Sequence, residues 1–330
     1  MRRFAYIISI LLACVGCFSE PSPQSRWFSQ TGRLKVLCTT GIVQDLVQAV
    51  GGDLIDCITL IPSESDPHSY HLVKGDDEKI ARADIIFYSG LGLEHGPSVG
   101  HVLKKSIKAY ALGDYIGKVR PQDIVYVGSA VDPHVWMDIS LWKRSIPLVV
   151  EVLSLALPER KVQIRTQAAS LESELDMVHD EVLSRLLSIP SSHRYLVSTH
   201  DAFNYFARAY LCTKTELHSD LWKERVEAPE GLAPDSQLST ADVKRLVDHI
   251  IRYGISVIFP EANVNRDSIE KIADAARKKG HFVEIASKPL YADSLGPKGS
   301  QAENYIAMMR SNSIEINSYL SRWTQRQSES

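Results

Sequence analysis

Two histidines follow the same dipeptide, Asp-Pro, at separate points of the chain, in the segments SESDPHSYH and VDPHVW. Proline fixes its own φ angle and restricts the residue before it, so these loops have little freedom left to lose on binding a ligand. His68 and His134 are therefore expected to point in defined directions. Because neutral imidazole is a common ligand of zinc and other first-row divalent metals, the repeated motif suggests metal binding.

The aspartates of the two motifs, Asp66 and Asp132, have two possible roles. They can anchor the loops, or they can orient an imidazole from behind the metal site. The anchoring role is favoured. A single Asp-Pro-His would be weak support for a metal site, because a lone histidine is usually a surface or core residue. Two copies together with a third suitably placed histidine make the metal site the preferred interpretation.

Two further candidate ligands lie directly after predicted strands. His200 follows the run YLVST and precedes a predicted helix, and Asp293 in PLYADSLG follows a strand expected to end at Ala286. In open α/β sheets, ligands bind outside the carboxyl ends of the strands, and His68 and His134 also lie in loops of this kind. Three imidazoles and one carboxylate, two ligands from each half, would fill a tetrahedron and leave no position for a catalytic water.

The elements that must position these residues alternate between short apolar strands and helices, through residues 33–155 and again after residue 190. Such alternation predicts parallel sheets covered on both faces. Strands are expected at 34–38, 58–61, 85–88, 195–198, 256–259 and 282–286. Helices are expected at 42–50, 76–83, 98–108, 139–157, 202–211, 241–253, 267–278 and 302–323.

One long helix is predicted between the two halves, at residues 158–189, with Pro158 at its start and Pro190 just beyond its end. At 1.5 Å per residue it would be roughly 48 Å long, enough to join two lobes stiffly. The alternative is a core helix of one large domain. Apolar residues recur along one face of this helix at Leu171, Leu175, Val178, Val182 and Leu186.

The predicted fold class is therefore α/β, with two lobes, each a small parallel sheet covered by helices, joined by one long rigid helix. The expected boundaries are a signal or lipoprotein segment at 1–20, an N-terminal lobe at 33–157, the linking helix at 158–189 and a C-terminal lobe at 190–330.

The beginning of the chain is typical of a secretory signal, with Arg2 and Arg3 before an apolar run of about ten residues, too short to span a bilayer. The run Leu-Leu-Ala-Cys resembles a lipobox, which would make Cys14 a lipid attachment site. Cys17 is a poorer second candidate, because Cys14 would then occupy the usual leucine position, and simple cleavage and release is the other alternative. No segment after this run approaches about twenty apolar residues, so the mature chain is not expected to cross a membrane.

The cysteines expected in the mature chain, Cys38, Cys57 and Cys212, form neither a disulfide framework nor a zinc knuckle. Cys38 and Cys57 lie in successive predicted strands and would be able to pair in an oxidising compartment, but buried free thiols are favoured. The formal charge of −3 comes without a block of like charges, so a nucleic-acid partner is unsupported.

Several other residues have ordinary interpretations. His71, His95 and His101 have no spacing that would make a second metal site and are expected on the surface. The tryptophans at positions 136, 142 and 222 are expected to be packing residues.

A series of motifs in order resembles the metal-binding solute-binding proteins of ABC transporters, the zinc and manganese group. The motifs are LIPSESDPHSYHLVKGD, GLGLEHG, DPHVWMD, STHDAFNYFARAY, EGLAPDSQLS, VIFPEANVN and PLYADSLG, and the resemblance covers about residues 33–323. It implies two lobes joined by a long helix, with the metal in the cleft between them and His68, His134, His200 and Asp293 as its ligands. It also implies that Glu261 orients a ligand histidine; a solvent-facing carboxylate at a strand end is the alternative.

Two departures from the family pattern bear on the metal. The loop after DPHSY lacks the His- and Asp-rich insertion of many zinc-specific members, and His200 stands where manganese-specific members often carry glutamate. A site of three imidazoles and one carboxylate should favour zinc slightly over manganese, with iron third. One divalent ion, Zn²⁺ or Mn²⁺, is thus expected, without an organic cofactor.

The resemblance implies that the chain is no enzyme. It would capture a cation in the periplasm, or tethered by lipid to the membrane surface, and deliver it to a membrane permease driven by a cytoplasmic ATPase. Membrane contact is expected only through the lipid or the permease, and the protein is expected to be monomeric. One alternative is a metal-dependent hydrolase, which would need an open coordination position and a positioned base. Neither a His-Glu-x-x-His pair nor a Gly-x-Ser-x-Gly elbow is expected. Another is a metal-binding surface adhesin.

Overall fold

The computed structural model describes residues 23–234 and 238–328. The predicted segment 1–20, with Cys14, lies outside these residues. No helix among the described residues has the length and apolar character needed to cross a bilayer. The helices are α1 Pro23–Phe28, α2 Gly41–Gly51, α3 Asp76–Arg82, α4 Pro97–Lys105, α5 Leu112–Val119, α6 Ile139–Trp142, α7 Ile146–Ala156, α8 Lys161–Leu187, α9 Asn204–Phe206, α10 Lys214–Leu217, α11 Thr240–Tyr253, α12 Asp267–Lys278 and α13 Tyr305–Ser328. The strands are β1 Leu34–Cys38, β2 Ile55–Thr59, β3 Ile85–Tyr88, β4 Ala109–Ala111, β5 Tyr126–Val127, β6 Ala130–Val131, β7 Leu196–Val197, β8 Val226–Glu227, β9 Val257–Ile258 and β10 Glu284–Ile285.

The N-terminal half is built on a parallel sheet in the order β2-β1-β3-β4. Side chains alternate between its two faces, as a strand requires. Val36 and Cys38 enter the core on one side, shared with α2, whereas Leu37 enters a second cluster on the other side. Both faces are therefore covered, as the alternation of strands and helices predicted.

The second strand begins three residues earlier than expected, at Ile55 instead of residue 58. The start of β2 was not recognised from the sequence, because the charged residue Asp56 interrupts the apolar run. In the fold, Lys35 on the neighbouring strand donates to Asp56 Oδ2 at 2.7 Å. A buried charge that is paired in this way is tolerated within a strand.

The C-terminal half repeats this topology with shorter strands. Strand β7 pairs with β8 and β9 pairs with β10, both parallel, and the N–H of Phe259 donates to the carbonyl of Val197, which joins the two pairs. The two pairs are separate two-stranded sheets, and this single bond sets them side by side in the succession β8-β7-β9-β10, which matches that of the first sheet. The expected α/β class, with two small parallel sheets covered by helices, is confirmed.

Helix α8 connects the two halves. It spans 27 residues, about 40 Å, and is preceded by a single 3-10 turn at Pro158–Arg160. It packs against α2 and α7 of the first half and against α13 of the second. The core on this side is continuous through both halves, so α8 is part of one packed body and not a free spacer. The domain boundaries on either side of it remain predictions. Its buried residues are Ile164, Ala168, Leu175, Val178, Val182 and Leu186, with Leu171 half-buried.

Two predicted helices are irregular. The helix expected at 139–157 is divided into α6 and α7 by a 3-10 turn at Lys143–Ser145, because Pro147 has no N–H to continue the ladder. The helix expected at 202–211 starts later, at α9, and continues as a π-helix over Ala207–Leu211. The edge strands β4 and β8 and the hairpin of β5 and β6 were not predicted, because two or three residues are too few for a pattern.

Candidate metal centre

Four side chains from distant parts of the chain converge: His68, His134, His200 and Asp293. His68, His200 and Asp293 lie beyond the parallel strands β2, β7 and β10, whereas His134 follows the antiparallel hairpin of β5 and β6. One ligand atom of each lies within 4.8 Å of those of the other three. The histidine side chains are 0–2% exposed and the aspartate is 13% exposed. In the part of the chain that the structure describes, this is the one cluster of possible metal ligands.

The spacing of these atoms suits a single bound cation. The Nε2 atoms of His68, His134 and His200 lie 3.4, 3.3 and 3.2 Å from the carboxylate oxygens of Asp293. In a tetrahedral site with bonds of about 2.0–2.1 Å, neighbouring donor atoms are about 3.3 Å apart. The three Nε2 atoms and Asp293 Oδ1 are buried without a hydrogen bond to any described residue, which is costly unless a ligand satisfies them. The donor set therefore fits a metal ion.

The two Asp-Pro-His motifs form the same local structure. Asp66 Oδ1 accepts the backbone N–H of His68 at 2.8 Å, and Asp132 Oδ1 accepts that of His134 at 2.9 Å. An aspartate that accepts from the residue two positions ahead closes an Asx turn, and the intervening proline stiffens it. Both motifs thus place a histidine at the end of a locked turn.

The two aspartates differ in the second role considered for them, the orientation of a histidine ring. Only Asp132 contacts a ring nitrogen. Asp132 Oδ1 lies 2.7 Å from Nδ1 of His134, whereas the second oxygen of Asp66 accepts the hydroxyl of Ser69. Burial lowers the pKa of His134, but the charges of Asp132 and Asp293 outweigh it and raise the pKa to about 9. With Nδ1–H donated to Asp132, Nε2 is the atom that faces the cluster as a ligand.

Glu261 lies behind His200 as Asp132 lies behind His134, but its contact with Nδ1 is a close charge contact without hydrogen-bond geometry. Its Oε2 lies 2.7 Å from Nδ1 of His200, and its Oε1 accepts the backbone N–H groups of both Thr199 and His200 at 2.8 Å. Glu261 is 2% exposed, so the alternative of a solvent-facing carboxylate is wrong. Burial acts to lower the pKa of His200, but Glu261 and Asp293 more than reverse this and hold it well above its usual range.

The carboxylate of Asp293 is stabilised in its charged form by the neighbouring histidines. Burial acts to raise its pKa, but His200 and His134 outweigh burial and hold it well below the usual range. Nδ1 of His134 lies next to Asp132, and Nδ1 of His200 lies next to Glu261. Two further carboxylates thus contact the candidate ligand rings on the side away from the cluster. A divalent cation would replace the protons that the imidazoles otherwise carry.

Trp136 contributes to the site in a way that sequence reasoning missed. It was expected to be a packing residue and is indeed 1% exposed, but its Nε1–H also donates to the carbonyl of Ala292 at 2.8 Å. Trp136 lies two residues after His134, and Ala292 lies one residue before Asp293. The bond therefore links ligand segments from the two halves. No local pattern could reveal a contact between residues 156 positions apart.

The other histidines considered, His71, His95 and His101, are exposed. The ring of His95 lies 5.7 Å from that of His68, yet His95 is not among the converging ligands. The segment GPSVG at 96–100 matches the Gly-x-Ser-x-Gly pattern of hydrolases. Its serine, Ser98, follows a loop instead of a strand and accepts the N–H of Leu72 in the first turn of α4, so it is no nucleophile elbow.

Cys38 and Cys57 are free thiols in the structure, buried with their sulfur atoms 3.5 Å apart. Burial raises the pKa of Cys38 well above its ordinary value, with a further contribution from the neighbouring Cys57. They face the core shared with α2.

Comparisons with known proteins agree with this geometry. The family described as zinc-uptake complex component A, periplasmic, matches residues 36–319. The metal-binding protein YtgA of Chlamydia pneumoniae is 36% identical over 280 residues, which cover 84% of this chain and 83% of that protein. The metal ABC transporter substrate-binding lipoprotein ScbA of Streptococcus cristatus is 25% identical over 328 residues, 98% of this chain and 100% of that protein. The crystal structure of Fe(III)-bound YtgA from Chlamydia trachomatis superposes with a TM-score of 0.82 at 32% identity, covering 87% of this chain and 98% of that one.

Proposed function

The chain belongs to the family of component A of periplasmic zinc-uptake complexes, and on this premise we propose that its three converging histidines and Asp293 bind one divalent transition-metal ion between its two lobes. It is a substrate-binding protein of a metal ABC transporter and not an enzyme. The observation that supports the proposed site most directly is the set of buried, unpaired Nε2 atoms spaced for a shared cation.

The favoured cargo is zinc, slightly ahead of manganese, with iron third. Three imidazoles and a carboxylate suit the borderline-soft ions, and intrinsic affinity for such a set rises from manganese to zinc. Asp293 offers both oxygens, since Oδ1 lies nearest His134 and Oδ2 lies near His68 and His200. A carboxylate with both oxygens at the site can also supply a fifth donor, which is why manganese remains the alternative.

The proposed sequence of events involves no bond chemistry in the protein. The chain would capture the ion outside the cytoplasmic membrane, in the periplasm or tethered by lipid at Cys14, and pass it to a membrane permease that works with a cytoplasmic ATPase. Relatives such as the lipoprotein ScbA support this location. Because α8 packs into a core shared by both halves, loop movements at the site, and not a wide swing of the lobes, would admit and release the ion.

The test is the metal content of protein purified from a medium with defined zinc and manganese, followed by competition between the two metals. We expect one equivalent of metal in the wild type and severe loss in His200→Ala and in Asp293→Ala. His95→Ala is the matched control, because its ring adjoins His68 without joining the cluster, and it should retain the metal. If both ligand variants retained the full equivalent of metal, His200 and Asp293 would not be ligands. Preferential loading of the wild type with manganese would show that manganese, and not zinc, is the favoured cargo.

A further inference from the structure

The segment that carries Asp293 is tied to the rest of the protein on both sides of the carboxylate. On one side, the carbonyl of Ala292 accepts Nε1–H of the buried Trp136. On the other, the hydroxyl of Ser294 accepts the side-chain amide of Asn263 at 3.0 Å. Asp293 therefore sits between two hydrogen bonds, and it is the candidate ligand with the most exposed side chain, at 13%. An ion leaving the site would pass on this side.

The amide of Asn263 also reaches the opposite half of the protein. It donates to the backbone carbonyl of Ser63 at 2.7 Å, across 200 positions of sequence. Ser63 begins the loop that leads to His68, and Asn263 lies two residues after Glu261. One side chain thus connects three loops of the site: the loops of His68, Glu261 and Asp293.

The backbone at Asn263 is shaped for this contact. Its φ of +65° is in the left-handed region, and Leu91 is the only other non-glycine residue of the described chain with a positive φ. Asparagine tolerates this conformation better than most residues, because its short polar side chain bonds locally. Here the conformation directs the amide toward both Ser63 and Ser294.

The two ties differ in how easily they can open. Trp136 is 1% exposed and its bond lies in the core, whereas Asn263 is exposed at the surface. A cavity of about 600 Å³ adjoins Asn263, with Ser63, Glu64 and Tyr291 among its lining residues. Water or a docking protein can reach the hydrogen bonds of Asn263. The buried hydrogen bond from Trp136 to Ala292 keeps the segment attached while the Asn263 bonds open.

We propose that Asn263 is a surface latch that holds the Asp293 loop against the His68 loop and so sets the rate at which the bound metal leaves. The proposal rests on the metal-binding function proposed above. Asn263 is a positioning residue, since its side-chain amide donates to Ser63 and Ser294 and not to any of the four candidate ligand side chains. Opening the latch removes the carboxylate from the imidazoles while the Trp136 bond stays closed.

The expected size of the effect follows from the exposed position of the latch. Only the closed arrangement brings all four ligand atoms together, so apparent affinity falls with the fraction of molecules that are closed. The bond to the Ser63 carbonyl is exposed and the bond to the Ser294 hydroxyl is half-buried, and each neutral hydrogen bond is taken at the low end of the usual range. Their loss should accelerate metal release about fivefold, and loss of the Ser294 bond alone about twofold.

The experiment measures the rate of Zn²⁺ dissociation from the full chain, with released ion trapped by an excess of chelator. Asn263→Gly removes the amide and accepts the positive φ, and Asn263→Asp keeps the size but presents an acceptor to the Ser63 carbonyl. Both should release Zn²⁺ faster than the wild type, and Ser294→Ala should be intermediate. Ser63→Ala is the control, because the latch uses only the backbone carbonyl of that residue, and its rate should equal that of the wild type.

A spectroscopic measurement separates a latch from a general disturbance of the site. The visible spectrum of the Co²⁺-loaded protein reports the ligand set, which stays intact in Asn263→Gly, so the spectrum should not change. An altered spectrum, or Zn²⁺ release at the wild-type rate in both Asn263 variants, overturns the latch. A wild type that binds neither Zn²⁺ nor Co²⁺ refutes the metal-binding function itself, which is a separate result.

Discussion

The buried carboxylate behind His134 should govern how strongly metal binding depends on pH. Asp132 is 0% exposed, and its Oδ1 lies 2.7 Å from Nδ1 of His134. Asp132→Asn is nearly isosteric, and an amide oxygen can still accept the N–H of His134, so the turn should survive. The change removes the charge without removing the anchor. It therefore isolates the electrostatic part of the contribution of Asp132.

Two effects of this change oppose each other. With a pKa of about 9, only about one His134 imidazole in a hundred is deprotonated at pH 7 in the absence of metal, which lowers apparent affinity about 100-fold. Without the Asp132 charge, burial still lowers the pKa of His134 and only Asp293 still raises it, so the pKa falls. The ligand itself becomes a weaker donor, which typically costs about 10–100-fold in metal affinity. Near pH 7 the two effects should largely cancel, whereas near pH 9.5 the full loss should appear.

Folding stability and metal affinity should depend on pH with opposite signs. Without metal, the folded protein holds a proton on His134 that the unfolded chain releases above about pH 6.5. The resulting stabilisation is complete below that pH and is lost as pH rises through about 9. Metal affinity changes in the opposite direction, because deprotonation supplies the ligand. In Asp132→Asn, the slope of log affinity against pH between 7 and 9 should decrease by about one proton.

Chelator competition from pH 6.5 to 9.5 measures this slope, and calorimetry in buffers of different ionisation enthalpy counts the protons released. Asp66→Asn is the matched control, because Asp66 closes the same turn but contacts Ser69 instead of a ring nitrogen. Its proton release should equal that of the wild type. If Asp132→Asn released as many protons as the wild type at pH 7.5, the reasoning about His134 would be wrong.

Three further predictions concern stability. Removing the metal with a chelator should lower the free energy of unfolding by about 2.7 kcal/mol relative to protein at a free metal concentration of 100 times Kd, as measured by denaturant titration. Trp136→Phe should destabilise the protein by about 1–3 kcal/mol more than Trp142→Phe, because both indoles are buried but only Trp136 donates to Ala292; equal losses would contradict this. His249 is buried and burial lowers its pKa, so stability should be lost as pH falls below about 6.5, and unfolding of His249→Phe between pH 5 and 7 should lack this loss.

The sequence was sufficient to identify the four candidate ligand side chains and the kind of fold that presents them. Strand direction is a local property that places His68, His200 and Asp293 beyond the carboxyl ends of parallel strands, and the Asp-Pro restriction marks His68 and His134. His134 itself follows the antiparallel hairpin of β5 and β6, which was not predicted. That these residues bind a metal stays a proposal. Their convergence, however, was predicted from their positions along the chain. The alternation of strands and helices likewise predicted two covered parallel sheets.

Strand boundaries were less predictable because they depend on partners in other strands. Asp56 is tolerated within β2 because Lys35 lies opposite it, and in the C-terminal half each strand pairs with its neighbour over only two residues. The break between α6 and α7 had a local cause in Pro147, and this signal was present in the sequence.

Only the tertiary structure determined which hydrogen bonds position the candidate ligands. Asp66 and Asp132 occupy equivalent places in the same motif, yet only Asp132 reaches a ring nitrogen. The bonds from Trp136 to Ala292 and from Asn263 to Ser63 join residues 156 and 200 positions apart. Dihedral preferences and periodicity act over a few residues, so they determine which groups stand at the ends of strands. Contacts across the cleft depend on how two complete halves pack, and no short stretch of sequence contains that information.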